Sequence, residues 1–308
     1  MNTTQPFSAL LVLCLLCFTP GAAHAFSPSL SYEYAPGQHI NYRVIGEGKK
    51  KILMLHGLGA SSHTWDTLLQ HWQPPSGYQL ILLDLIGFGF SSKHAQADHS
   101  VLANARVINR FIRDHQIDDY VLVGHSFGGG VALMATFERL QENTVLPKAL
   151  LLINAAAYES EFPLFVATLR TPLLNRLVLA LLSPEQLASF TLKRLFHDDA
   201  KITAQVIERY AFFMAMPGHD QTLIQTAEQV VPENLEAYLP FYAHFKLPAL
   251  VIWGEQDQTI PLIYGERLAE ELPQSQLAVI SDCGHLPQTE CPQQTANHIE
   301  TFLKGLSR

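Results

Sequence analysis

Charged residues are scarce in this 308-residue sequence, and basic residues are the scarcer kind. Asp, Glu, Lys and Arg make up 16% of the chain, and 28 acidic against 20 basic residues give a formal net charge of −8. The basic residues form no extended run of the kind that binds a phosphate backbone. The sequence therefore excludes nucleic acid as a partner, whereas its 48% hydrophobic residues are enough for one large core.

The chain starts with an apolar run, at residues 9–18, that is too short to cross a bilayer, because a spanning helix needs about 20 residues. Residues 1–25 contain no Asp, Glu, Lys or Arg and end in Ala23-His24-Ala25, the small-x-small pattern of a signal-peptidase site. We expect residues 1–25 to be a signal peptide, cleaved after Ala25, and the mature protein to be secreted or periplasmic. An uncleaved N-terminal membrane anchor is the alternative.

Cysteine is also rare, and only Cys283 and Cys291 remain if the signal peptide is removed. An oxidising compartment would permit these two residues to form a disulfide, which would cross-link the ends of the loop between them. Two free thiols fit the sequence equally well, since sequence spacing does not fix the Cα separation that a bridge requires. Both alternatives stay open at this point.

Motifs for nucleotides and metals are missing. The sequence has no GxGxxG, P-loop or HExxH pattern, and its 14 histidines show no metal-ligand spacing. The lone Gly87-Phe88-Gly89 is weak evidence for a nucleotide and is interpreted as a tight turn. We expect neither a cofactor nor a metal.

Short apolar runs alternate with amphipathic stretches of helical length. The predicted strands are residues 51–55, 79–83, 120–123, 149–153, 249–253 and 277–280, with an extra, antiparallel strand at 38–45. The predicted helices include residues 100–115, 127–140, 262–271 and 293–303. Continuous apolar runs are typical of strands buried on both faces of a parallel sheet. The alternation predicts an α/β fold, with a mostly parallel sheet and helices on both faces.

Residues 158–240 break this alternation, because they contain no convincing strand and are punctuated by prolines. Structureless loops of that length are uncommon, so we expect a helical cap inserted into a core formed by residues 26–157 and 241–308. Apolar runs such as 177–182 and 212–214 contain more apolar side chains than one helical layer needs to pack onto the core. Their side chains either seat the cap or line an acyl pocket, and we expect transient contact with a lipid surface through the cap.

The strongest local motif is Gly124-His125-Ser126-Phe127-Gly128, a GxSxG pattern between a predicted strand and a predicted helix. In this context the serine occupies a very tight turn, and the two glycines let strand and helix approach without Cβ clashes. The helix N-terminus offers free amides and a dipole that favour developing negative charge. We therefore predict Ser126 as a catalytic nucleophile.

A serine hydroxyl needs a general base, and the base needs a group that fixes its tautomer. Asp257 and His285 each lie on the loop just beyond the carboxyl end of a predicted strand. Since ligands bind at the carboxyl ends of the strands in open α/β sheets, we predict Ser126, His285 and Asp257 as a catalytic triad. Glu255 and Asp282 are rivals of Asp257, because a carboxylate can reach the same imidazole from a neighbouring turn.

The oxyanion formed during acyl transfer needs two backbone amides aimed at it. One is expected from Phe127, the residue after the nucleophile. The other is expected from the turn after the first parallel strand, where Leu58 N–H is the predicted donor and Gly59 the alternative. His56 is interpreted as a structural residue that holds this turn.

These motifs together resemble the ordered motif set of the α/β-hydrolase superfamily, over nearly all of residues 38–308 except the cap. The set comprises His56-Gly57-Leu58-Gly59, the turn from Asp84 to Ser91, the Ser126 motif, Trp253 to Asp257, and Gly284-His285 through Glu290 and Pro292. The resemblance implies a cofactor-independent serine hydrolase, most often a carboxylesterase or lipase, with an acyl-enzyme intermediate. Ile86 departs from the pattern, since many relatives carry Arg or Pro there. Serine as nucleophile counts against the epoxide hydrolase and haloalkane dehalogenase branches, which use aspartate.

The leading hypothesis is hydrolysis of a small apolar carboxylic ester. Thioester cleavage, carbon–carbon hydrolysis of a diketone and cofactor-free perhydrolysis need the same triad, and the sequence does not separate them. A ligand-binding protein on the same scaffold is the alternative from another class. An intact triad argues for chemistry rather than for binding alone.

Overall fold

The computed structural model describes residues 30–159, 164–232 and 234–306, and the predicted signal peptide lies outside them. Eight strands in these residues form one sheet: β1 (Leu30–Ala35), β2 (Gln38–Ile45), β3 (Lys50–Leu55), β4 (Tyr78–Leu83), β5 (Tyr120–His125), β6 (Ala149–Ile153), β7 (Ala249–Gly254) and β8 (Ser275–Ile280). The strand order is β1-β2-β4-β3-β5-β6-β7-β8. The β1–β2 and β2–β4 pairs are antiparallel, and every other pair is parallel.

Twelve α-helices accompany the sheet in the described ranges. They are α1 (Asp66–Leu69), α2 (Val101–Asp114), α3 (Phe127–Gln141), α4 (Leu164–Leu169), α5 (Leu174–Leu181), α6 (Pro184–Leu195), α7 (Ala204–Met214), α8 (His219–Glu228), α9 (Leu235–Tyr238), α10 (Leu262–Glu271), α11 (Pro287–Glu290) and α12 (Pro292–Leu306). Three short 3-10 helices span Ser62–Trp65, Asp199–Lys201 and Leu239–His244. None of the described helices combines the length and apolar character required to cross a membrane.

The parallel strands are buried on both faces, which explains their continuous apolar runs. In β3, Ile52 and Met54 belong to the core on one face of the sheet, and Leu53 and Leu55 to the core on the other. Successive side chains of a strand point to opposite faces, so only an apolar residue at every position fits a sheet covered on both sides. The predicted fold class, a mostly parallel α/β sheet with helices, is confirmed.

Helices α4 to α9 all fall between β6 and β7, and they are called the cap below; the sheet with the remaining helices is called the body. Local sequence explains where α6 begins: the Ser183 side chain accepts a hydrogen bond from the Gln186 N–H, and Pro184 occupies the first helical turn. Apolar side chains of α6 and α7 form a separate small core that also includes Ala60 and Leu286 of the body. The exact division into residues 26–157, 158–240 and 241–308 remains a prediction.

Candidate active site

Ser126 lies at the junction of β5 and α3 with a φ of 51° and a ψ of −120°, a backbone conformation that few non-glycine residues adopt. The neighbouring glycines make this turn sterically feasible. A Cβ on Gly124 would lie 2.3 Å from the carbonyl oxygen of Gly128, and a Cβ on Gly128 would lie 2.5 Å from that of Leu55. The turn therefore presents Ser126 at the carboxyl edge of the sheet, where it is only partly buried.

His285 and Asp257 meet Ser126 at this edge. The Ser126 Oγ lies 2.9 Å from His285 Nε2, and His285 Nδ1 lies 2.7 Å from Asp257 Oδ2. With Nδ1–H donating to the carboxylate, Nε2 is the acceptor for the serine hydroxyl proton. The rivals of Asp257 do not take this place, since Glu255 and Asp282 are exposed and His285 Nδ1 bonds to Asp257.

Asp257 is buried and held by four hydrogen bonds. Its Oδ1 accepts from the backbone N–H groups of Thr259 and Ile260 at 2.7 and 2.9 Å, and its Oδ2 accepts from Asn154 Nδ2 at 2.6 Å as well as from His285. Burial alone would raise the pKa of Asp257, but His285 and these donors bring the pKa below its ordinary value. The carboxylate is therefore charged at neutral pH and can stabilise an imidazolium.

Asn154 and His125 take part in the site, although the sequence analysis did not single them out. Asn154 directly follows β6, so its position at the carboxyl end of a central strand was an available signal. His125 Nε2 lies 2.8 Å from the carbonyl oxygen of His285. This hydrogen bond fixes the backbone of the loop that carries His285. Burial lowers the pKa of His125 to about 3, so this ring is neutral and donates from Nε2.

The turn after β3 lies against Ser126. A Cβ on Gly57 would lie 3.2 Å from the Cβ of Ser126, so only glycine allows this approach. Leu58 and Phe127 both line a cavity that contains Ser126. Neither backbone N–H donates a hydrogen bond within the described residues, so both amides are available for an oxyanion.

The histidine of this turn is structural, as its sequence context indicates. His56 is fully buried, with Nδ1 2.8 Å from the carbonyl oxygen of Gly57 and with Nε2 accepting from the Leu85 N–H at 2.9 Å. The neighbouring turn is held by buried Asp84, whose carboxylate accepts from the N–H groups of Ser62 and Phe90 at 2.6 and 2.9 Å. These bonds place both turns beside the site.

The cap contacts the loop that carries His285 through backbone atoms. The His285 N–H donates to the carbonyl oxygen of Leu195, the last residue of α6, at 2.7 Å. Buried Glu290 bridges the same two parts: it accepts from the Gly284 N–H at 2.7 Å and from the N–H groups of His197 and Asp198 at 3.0 and 2.9 Å. The position of the candidate base is therefore tied to the end of α6.

Two apolar cavities meet at Ser126. The larger cavity, of about 320 Å³, lies under the cap and is lined by Val178, Leu179 and Leu182 as well as by His285. The smaller cavity, of about 90 Å³, lies on the side of Phe127 and is lined by Met134 and Tyr242 among others. No Asp, Glu, Lys or Arg lines either cavity among the described residues. Both cavities are of a size and lining that suit an apolar small molecule.

Cys283 and Cys291 are both buried and both free thiols. Together with the Glu290 carboxylate they form the one group of potential metal-ligating side chains found in the described ranges. This group lies beside the candidate triad and contains none of its members.

Comparison with known proteins agrees with this arrangement. A family model described as the alpha/beta hydrolase fold matches residues 50–292. Lipase 3 of Moraxella sp. is 27% identical over 271 residues, which cover 87% of this chain and 81% of the relative. The 2-hydroxy-6-oxo-6-phenylhexa-2,4-dienoate hydrolase of Burkholderia cepacia is 29% identical over 262 residues, which cover 81% of this chain and 87% of the relative.

A solved structure supports the fold. The crystal structure of an alpha/beta hydrolase fold protein from Burkholderia ambifaria superimposes with a TM-score of 0.76 at 22% identity, covering 89% of this chain and 97% of that chain. The motifs at Leu58, Ser126, Asp257 and His285 all fall inside the matched family range. The chain therefore belongs to the α/β-hydrolase fold family and is related to lipases and other hydrolases.

Proposed function

We propose that this protein is a serine hydrolase that cleaves an apolar carboxylic ester through an acyl-enzyme intermediate. Ser126 Oγ attacks the ester carbonyl while His285 Nε2 accepts its proton, and His285 returns the proton to the departing alcohol. A water molecule, deprotonated by His285, then attacks the acyl-enzyme and releases the acid. Asp257 orients the imidazole, and the Leu58 and Phe127 amides bind the oxyanion in both steps.

The observation that carries this proposal is the continuous hydrogen-bond chain from Ser126 through His285 to Asp257. Its distances of 2.9 and 2.7 Å are hydrogen-bond distances, as proton transfer from Ser126 to an oriented His285 requires, and the serine lies at a helix N-terminus beside two backbone amides that donate to no described group. A protein that only binds a ligand on this scaffold has no need of a base aligned with the serine.

The two cavities support an ester with apolar groups on both sides of the scissile bond. The larger cavity has the volume for an extended acyl chain, and the smaller one accommodates the remaining part of the substrate. The name of the Burkholderia cepacia relative describes a substrate with a carboxylate, which points to carbon–carbon hydrolysis as a second candidate. An apolar lining without Lys or Arg offers no partner for that carboxylate, so ester hydrolysis is the stronger proposal.

The outer face of the cap supports contact with a lipid surface. Leu173, Leu177 and Leu181 of the α5 segment are 77%, 55% and 71% exposed, while the opposite face of the same helix lines the larger cavity. Arg170 and Arg176 lie in residues 164–182, which contain no acidic residue. Apolar side chains flanked by cations suit an assembly of lipid-like esters, with which we propose transient contact.

Secretion or periplasmic export after cleavage at Ala25 remains part of the proposal, and so do the domain boundaries. An apolar ester carried by a lipid assembly is a substrate that an exported hydrolase would meet. The cleavage site lies outside the described residues.

A fluorophosphonate probe and a series of p-nitrophenyl esters test the proposal. We expect the probe to label the wild-type protein and not Ser126→Ala, and the variant to lose about 10⁵-fold in kcat/KM toward apolar esters. Ser91→Ala, which changes a buried serine beside the site, is the control for damage to the fold. Equal ester cleavage by wild type and Ser126→Ala, at every chain length, would refute the assignment.

A further inference from the structure

Two thiols that the proposed reaction does not use lie close together beside the loop that carries His285. Cys283 precedes the loop residue His285 by two positions, and Cys291 follows α11. Their Sγ atoms lie within 4.8 Å of each other, and the Cys291 Sγ lies 3.7 Å from the carbonyl oxygen of Asp282. Cys283 is fully buried and Cys291 is 5% exposed. A bond between the two sulfurs would close the loop that carries the candidate base.

The two thiols differ in their surroundings, because a lysine of the cap lies beside Cys291. Lys201 of the cap places its Nζ 3.9 Å from Cys291 Sγ and 3.3 Å from the carbonyl oxygen of Asp282. The neighbouring Cys283 thiol and then the Lys201 ammonium lower the pKa of Cys291 against the opposing effect of burial, whereas the Cys291 sulfur and burial raise the pKa of Cys283. Cys291 is thus the thiol that forms a thiolate first, and the thiolate is the nucleophile in disulfide exchange.

A metal ion fits this cluster poorly. Glu290 would have to supply the third ligand beside the two sulfurs. Its two carboxylate oxygens already accept three backbone hydrogen bonds, from Gly284, His197 and Asp198. The cation Lys201 also stands next to Cys291, where it repels a second positive charge. These contacts suit a pair of thiols better than a metal-ligand set.

We propose that Cys283 and Cys291 are a redox-active pair that closes into an intramolecular disulfide, with a small disulfide such as glutathione disulfide as the oxidant. The Cys291 thiolate attacks one sulfur of the oxidant and expels one glutathione thiolate, which leaves a mixed disulfide. Cys283 transfers its proton to the expelled thiolate and then attacks Cys291 Sγ, releasing the second glutathione. The two protein thiols are oxidised and the small disulfide is reduced to two thiols, so atoms and electrons balance.

Closure restrains the loop on which His285 lies. A cross-link between residues 283 and 291 removes conformations from the unfolded chain without touching the reacting atoms at Ser126. The disulfide form should therefore be the more stable one. Its formation is measured by the reactivity of the two thiols toward an alkylating reagent and does not depend on enzyme activity. Failure of this inference is for that reason distinguishable from failure of the proposed function.

Peptide mapping of the full chain tests the inference. Samples equilibrated with glutathione disulfide or with excess dithiothreitol are denatured, alkylated with iodoacetamide and digested with trypsin. Both cysteines fall on one tryptic peptide, residues 268–304, because no Lys or Arg separates Arg267 from Lys304, whereas Cys14 and Cys17 fall on another. We expect the oxidised peptide to be unalkylated and two hydrogens lighter, and the reduced one to carry two alkyl groups.

Other products would overturn the inference. Two alkylated cysteines after oxidation, a lasting glutathione adduct, or a link to a second chain would each show that the pair does not close. The oxidised protein should unfold about 5 °C above the reduced one, and this difference should vanish in the Cys283→Ser/Cys291→Ser double variant. Equal melting temperatures of the two wild-type forms would contradict the restraint.

A cap variant tests the assignment of Cys291 as the attacking thiol. Lys201→Met should slow closure about fivefold at pH 7, because it removes the ammonium that favours the thiolate, and leave the end-point unchanged. Lys193→Met, at an exposed position of α6, is the matched control. A rate as fast in Lys201→Met as in wild type would refute the role of this lysine in favouring the Cys291 thiolate.

Discussion

The body and the cap use their apolar residues differently. In the body, strands such as β5 and β6 are buried at every position, and their apolar side chains do nothing but fill the two cores. In the cap, helix α5 is apolar on two faces, one lining the larger cavity and the other exposed to solvent. Under the proposed function, the body would hold the reacting groups, while the cap would shape the space that the substrate enters.

Among the variants that separate the body from the cap, Asp257→Asn, in the body, should have the largest effect. The amide keeps the shape of the side chain but removes the charge that stabilises the imidazolium, so kcat should fall by roughly 10³–10⁴-fold for all esters alike. Steady-state kinetics with acetate and dodecanoate esters measure this. Asp282→Asn, at the exposed rival carboxylate, is the control. A loss confined to long esters would break the division between body and cap.

Leu179→Trp should act on the cap side, with an effect of about tenfold. The larger side chain fills part of the larger cavity, so kcat/KM should fall for a dodecanoate ester and stay near the wild-type value for acetate. Leu177→Trp places the same side chain on the exposed face of the same helix and is the matched control. An equal loss for both chain lengths would mean that this cavity does not hold the acyl chain.

Leu177→Gln/Leu181→Gln should give a smaller loss, about fivefold, and only on substrates presented in lipid vesicles or emulsions. The two polar side chains remove apolar area that would be buried at the lipid surface. Hydrolysis of a water-soluble short ester should be unchanged. Ile263→Gln, at a 62% exposed position of the body, tests whether any lost apolar residue has this effect. Equal losses in both variants would remove the case for docking through the cap.

His219→Leu should leave activity at neutral pH unchanged and alter only acid stability. His219 opens α8, packs on Phe88 of the body and has a pKa lowered to about 4 by burial and by Lys93. A histidine whose folded pKa is depressed costs stability as pH falls from 6.5 to about 4, because the unfolded chain binds the proton first. The leucine removes this cost.

Denaturant titrations at several pH values measure that effect. Between pH 7 and pH 4 the variant should lose less unfolding free energy than wild type, by about 3 kcal/mol. His71→Leu, at an exposed histidine of the body, should follow the wild-type curve. Parallel curves for His219→Leu and wild type would show that this contact between cap and body does not respond to protonation.

The sequence predicted the body better than the cap. Helix α10 has the predicted bounds, Leu262–Glu271, and strands β2 and β6 also match. Continuous apolar runs and glycine-flanked turns are local signals, so they are visible in the chain. The edge strand β1 was missed because its sequence, LSYEYA, is half exposed and lacks a continuous apolar run.

Partners that lie far apart in the chain could not be predicted. The Ser126, Asp257 and His285 positions followed from strand ends, but the bond from Asn154 to Asp257 joins residues 103 positions apart. The contact from His125 to the backbone of His285 spans 160 positions. Neither residue has a sequence pattern that specifies its partner, because such contacts depend on how the strands are ordered in the sheet.

The bond between the His285 N–H and the Leu195 carbonyl oxygen has a consequence for how substrate enters. Lifting α6 away from the body would break this bond and the Glu290 bonds to His197 and Asp198, and would displace the base at the moment it is needed. Helix α5 has no bond of this kind to the loop that carries His285 among the described residues. An opening for substrate on the α5 side would leave these bonds intact, whereas an opening on the α6 side would break them.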